Sequence, residues 1–115
     1  MTEQQAIWSV NETTSIKSYT LTNFRIIPQI QQMSEESQFE MEVVGNVLPF
    51  KTNNYVVEQL IDWNNIPKDP MFVLTFPQKG MLIPEHYEKM ASVLRSGADK
   101  KEIQNTANEI RLQLN

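Results

Sequence analysis

Apolar positions recur along this chain mostly at helical spacing, and the clearest run lies towards its C-terminal end. Pro84 opens a segment in which Tyr87, Met90, Ala91 and Leu94 stand at i, i+3, i+4 and i+7, and Val93 widens the stripe. Glu85 and Lys89 have the spacing of a favourable i, i+4 pair. Gly97 suits the left-handed residue that ends a helix. Asp99 then caps the next helix, with Glu102 three residues on in an Asp version of the capping box. Ile103, Ala107, Ile110 and Leu114 follow at i, i+4, i+7 and i+11. The spacing predicts a helical hairpin over 84–114, its helices antiparallel or packed at an angle. The last stripe runs on to Asn115 with no Gly, Pro or polar tail, which leads us to expect a fragment of a longer protein.

Residues 34–48 predict another helix. Ser34 is an N-cap, and Glu35 and Glu36 sit where the helix dipole favours negative charge. Phe39, Val43 and Val47 form the stripe, widened by Met41, Val44 and Leu48. Gly45 weakens the helix by about 1 kcal/mol relative to Ala, and Pro49 stops it. A further helix is predicted from Thr52 or Asn53 to Trp63, with Val56, Val57, Leu60 and Ile61 as its apolar face and Asn64 and Asn65 at its end. The Pro-rich connector Ile66 to Pro70 follows. Met71 to Phe76 is an unbroken apolar run with strand propensity, but Asp69 and Pro70 also spell a helix start. With no convincing partner strand, the expectation is a short helical turn or a buried extended connector.

The beginning of the chain is less patterned. Residues 1–18 are polar and rich in Ser and Thr, and predict a poorly ordered arm that docks through Trp8. Over 19–33, Thr20 or Thr22 caps a short helix that Pro28 breaks or bends. The fold class expected is therefore mainly α, a small helical domain over 19–115 with a C-terminal hairpin and Pro-rich connectors.

Composition narrows the chemistry. The chain has 115 residues, the size of one domain, and its 40% hydrophobic content is too high for full disorder. The formal net charge of −4 argues against a nucleic-acid partner. No apolar run approaches a membrane span, and the N-terminus lacks the features of a secretory signal, so a cytoplasmic setting is expected. Cysteine is absent. That removes disulfides, thiolate zinc sites, thiolate-bound iron–sulfur clusters and cysteine nucleophiles from these residues.

No catalytic, cofactor-binding or metal-binding residue is predicted. The lone His86, beside Glu85 in a first helical turn, reads as a solvated residue. Glu35, Glu36, Glu40 and Glu42 lack the alternating ligands of a calcium loop and read as a solvated face. Lys79-Gly80 has no Gly-rich run before it and is not a phosphate loop. Trp8, Trp63 and the six Met read as packing groups. Met71 to Phe76, with Met81, Leu82 and Ile83, reads as core or as a surface covered by more protein.

One stretch is more specific. Leu48-Pro49-Phe50-Lys51, then Tyr55, Leu60-Ile61-Asp62-Trp63, Asp69-Pro70 and Pro77, resembles the region upstream of the catalytic barrel in the lysine 2,3-aminomutase family of radical S-adenosylmethionine proteins. Ala107 to Asn115 resembles the segment that leads into that barrel. The resemblance covers roughly 20–115 and rests on order and spacing. It implies a parent isomerase that moves an amino group between adjacent carbons of an amino acid. That parent would use a [4Fe–4S] cluster held by a CxxxCxxC motif, S-adenosylmethionine, and pyridoxal phosphate on a lysine. None of those residues maps onto this sequence. The implied role is a non-catalytic N-terminal domain that packs on the rest of the parent or on another subunit in a homo-oligomer. The alternative is a free-standing helical interaction module with no enzymatic role.

Overall fold

Two hydrophobic cores share one helix in the computed structural model, which describes residues 15–114. The described chain is mainly helical, with one pair of three-residue strands. The shared helix is Glu35–Val47 (α2), preceded by the short α1, Pro28–Gln31. The Ser34 hydroxyl accepts from Ser37 N at 3.0 Å, the expected N-cap. Leu48 turns extended ahead of Pro49 and ends the helix. Met41 enters the N-terminal core, while Val43, Val44 and Val47 enter the C-terminal one.

The C-terminal core is a three-helix arrangement of α2 with Pro84–Arg95 (α4) and Lys100–Gln113 (α5). Tyr87, Met90, Ala91, Ala107 and Ile110 fill it, as the stripes predict. The hairpin connection is a Schellman turn. Gly97 has φ +75°, its N–H donates to Leu94 O, and Ala98 N donates to Val93 O. Asp99 Oδ1 accepts from Glu102 N at 2.9 Å. Lys89 does not serve the i, i+4 pair expected of it with Glu85, but reaches across the hairpin to Glu109 at 2.9 Å.

The N-terminal core is assembled from short pieces. Tyr19, Phe24, Ile27, Ile30, Val57, Ile61, Phe72 and Phe76 are buried in it, with Phe50 and Trp63 packed alongside. Aromatic contacts bind the pieces: the Phe72 and Phe76 rings stack at 5.3 Å, and Trp63 meets Phe72 edge-on at 5.7 Å. Pro70–Thr75 is a helix (α3). Asp69, itself buried, accepts from Phe72 N at 3.0 Å with Pro70 in the first turn, so the cap overrides strand propensity.

Four expectations need correction here. A strand pair exists: Ser18–Thr20 (β1) runs antiparallel to Lys51–Asn53 (β2), with Tyr19 opposite Thr52. Three-residue strands more than thirty positions apart leave no alternation to read. The helix expected over 53–63 is shorter: helical residues run from 54 to 60, the last five, Val56–Leu60, as a π turn, and a 3-10 turn follows at Trp63–Asn65. The Trp63 indole N–H donates to Val57 O at 2.7 Å, which takes a carbonyl that a continuing helix would use. Pro28 does not bend a continuous helix: the 3-10 turn Phe24–Ile26 ends at an extended Ile27, and Pro28 opens α1. Asn23, not Thr20 or Thr22, organises the turn before it: its Oδ1 accepts from Thr20 N and its Nδ2 donates to Ser18 O, filling the outer edge of β1. The expected arm over 1–18, Trp8 included, lies outside the described residues as far as 14, and Ser18 already belongs to β1.

Candidate functional site

His86 is not solvated. It is 6% exposed, in the first turn of α4, and its Nε2–H meets Gln113 Oε1 at 3.0 Å, while Nδ1 is buried without a partner among the described residues. The ring therefore joins the start of α4 to the end of α5. Sequence spacing missed this because position 86 lies on the flank of the α4 stripe, and only the packing of α5 covers it. The acidic face of α2 is partly neutralised. Arg25 reaches Glu42 at 2.7 Å, Glu35 at 3.5 Å and Gln38 Oε1 at 3.3 Å. Among the described residues no group of three or more His, Cys, Asp or Glu is placed to hold a metal ion.

A second arginine does more than its sequence position suggests. Arg111 of α5 donates from Nε to Val47 O at 2.7 Å and from Nη2 to Asn46 O at 2.8 Å, and from Nη1 to Asn108 Oδ1. These carbonyls end α2 and have no partner within their own helix. A cation there also suits the negative end of the helix dipole. Beside Arg111 a groove of about 380 Å³ separates the two lobes. Leu21, Phe50, Pro49, Ile103 and Ala107 line it, with Lys100 and Gln104 on its rim. Gly45 sits beneath. A Cβ there would lie 3.0 Å from Leu21 Cδ1 and 3.1 Å from Phe50 Cε1, so the residue read as weakening α2 is the one that lets these two side chains close over it.

Residues 70–83 divide between inside and outside. Phe72, Phe76 and Leu82 are core, whereas Leu74 is 78% exposed and Ile83 54%, with Val73 and Met81 also at the surface. A shallow hollow of about 670 Å³ is lined by Met81, Ile83, Lys79, Tyr87 and Glu88. The Lys79 ammonium lies 4.9 Å from the Tyr87 ring centroid. Burial pushes the Tyr87 phenol above its ordinary value, and the Glu40 carboxylate adds to the rise.

The polar groups brought together thus cap helices and pin α4 to α5, α5 to the end of α2, and Arg25 to the acidic face of α2. No helix of the described residues is long and apolar enough to cross a membrane. Comparison with family models, curated proteins and solved structures finds no match to this chain.

Proposed function

We propose that this chain is the non-catalytic N-terminal helical domain of a cytoplasmic protein resembling lysine 2,3-aminomutase, and that it packs on the remainder of that protein or on another subunit. The reading rests on the resemblance of residues 48–77 and is supported by how that stretch divides. Phe50, Ile61, Trp63, Phe72 and Phe76 close a core, while Val73 and Leu74 face outward on the same short helix. Exposed apolar groups next to a closed core are what a docking face requires.

The cluster implied by the resemblance does not fit these residues. With no cysteine in the chain, every cluster thiolate would come from outside these residues. The coding sequence downstream of Asn115 tests the reading. A CxxxCxxC motif within a few dozen codons supports it, and a stop codon overturns it in favour of a free-standing interaction module. That second reading draws on both cores being filled by the described residues themselves.

Self-association belongs to the proposal as well. Covering a few hundred Å² of apolar surface contributes several kcal/mol, at about 25 cal/mol per Å² before association costs. Leu74→Asp and Leu112→Asp alter exposed positions. At high concentration, sedimentation should show a dimer that the Leu74 variant shifts towards monomer. A clean monomer for the parent chain removes the homo-oligomer from the reading.

A further inference from the structure

The outer edges of β1 and β2 are finished differently. Asn54 N–H donates to Lys17 O, and Tyr19 stands opposite Thr52 in the same register. In an antiparallel pair the main-chain groups that face the partner belong to every second residue. Those of Tyr19 and Thr52 therefore turn inward, and those of Ser18, Thr20, Lys51 and Asn53 turn outward. On β1 the outward groups find partners in Asn23: its Oδ1 accepts from Thr20 N, its Nδ2 donates to Ser18 O, and its own N–H donates to Thr20 O. On β2 the Lys51 N–H, the Lys51 C=O and the Asn53 N–H have no partner among the described residues, and Lys51 is exposed.

We propose that β2 pairs antiparallel with β2 of a second copy of this chain, about a two-fold axis at Thr52, so that the two strand pairs become one four-stranded sheet. A bare strand edge is recognised by another extended backbone that presents the complementary donors and acceptors. Here that edge is short. Pro49, which has no N–H, bounds it on one side, and the helical turn that begins at 54 bounds it on the other. Among the described residues β1 is filled on both sides, so the strand with a matching open edge is β2 itself, and a two-fold contact supplies it. The register follows from the same groups. With the axis at Thr52, Lys51 of each copy faces Asn53 of the other. The Asn53 N–H then reaches the Lys51 C=O twice, and both Lys51 N–H groups turn towards the Asn53 carbonyls. An axis at Lys51 would oppose two ammonium groups and set Asn53 against Pro49. An axis at Asn53 would set Lys51 against Tyr55, which is already helical. The inference needs neither the family reading nor the exposed residues of α3.

NMR on the full chain carrying Leu74→Asp, which sets the α3 face aside, tests it. Raising the concentration tenfold should slow hydrogen exchange at the Lys51 and Asn53 amides at least twofold. The Thr52 amide, already turned to Tyr19, should not change. In an equal mixture of isotope-labelled and unlabelled chain, Thr52 Hα of one copy should show cross-relaxation to Thr52 Hα of the other, because the non-bonded pair at the axis brings the Cα atoms to about 4.5 Å. Lys51→Pro removes an N–H that points away from β1. It should abolish both signals while Tyr19 and Thr52 stay paired. Three outcomes overturn the proposal. One is exchange at Lys51 and Asn53 that is slow at every dilution, which places the edge under another part of the same chain. Another is exchange there that is fast at every concentration, with no contact between copies at Thr52. The third is a set of concentration-dependent shifts confined to residues 100–114, which places the contact on α5.

Discussion

The two lobes hold their cores together by different means. The C-terminal lobe is three long helices whose buried groups, Val43, Val44, Val47, Met90, Ala91, Ala107 and Ile110, are mostly aliphatic and pack along the axes. The N-terminal lobe has no long helix of its own. Its pieces are three to six residues long, and large aromatic rings bridge between them. A long helix satisfies its backbone internally and needs only one apolar stripe. Short pieces leave most of their backbone groups to be satisfied by side chains, which is why Asn23, Asn53, Trp63 and Asp69 all bond main-chain atoms.

The largest effect should come from emptying either core. Phe72→Ala should cost about 3–5 kcal/mol and Ile110→Ala about 2–5 kcal/mol, read from urea unfolding. Because α2 lines both cores, near-UV and far-UV signals should still change together in each variant. Separate transitions would show that the lobes unfold independently and break the comparison.

The two arginines come next. Arg111→Ala removes charge-assisted bonds to half-buried carbonyls and should cost about 1.5–3 kcal/mol, with little dependence on salt. Arg25→Ala removes a more exposed ion pair and should cost under about 1 kcal/mol, less at high salt. Equal losses would mean that the α2 terminus is held by the C-terminal core alone. Caps sharpen the contrast further. Asp99→Ala and Asp69→Ala should each cost about 1 kcal/mol from the lost N-cap, and Asp69→Ala should cost the more, because its site is buried and no water replaces the carboxylate.

The smallest effect concerns pH. The Tyr87 phenol is raised above its ordinary value of 10.0 in the folded chain. The unfolded chain therefore releases this proton first. Stability should be indifferent to Tyr87 below about pH 10 and should fall as pH rises from there until the folded group ionises too. Tyr87→Phe should flatten part of that decline in alkaline urea melts.

The same division decides what the sequence discloses. The hairpin, its Gly97 and Asp99 signals, and the Ser34 cap of α2 are local, so spacing and residue type are enough. Asp69 with Pro70 also outweighs the strand propensity of Met71 to Phe76, as a local signal should. The β1–β2 pair, the π turn and the burial of His86 depend on partners 27 or more residues away or, for the π turn, on where one indole N–H finds its acceptor. The groove is the least legible feature. It depends on Gly45, Leu21, Phe50 and Arg111 meeting across the chain, and in the sequence only an interrupted stripe marks it.

Asn23 carries a consequence for behaviour at high concentration. An open strand edge is a template on which a second chain can add its own backbone, and proteins that leave one bare tend to assemble side by side. Here a single primary amide stands in for that second chain, offering one donor and one acceptor to Ser18 and Thr20. Asn23→Ala would strip both side-chain bonds from that edge and leave the residue's own N–H on Thr20 O, so light scattering at rising concentration should show more association than in the parent chain.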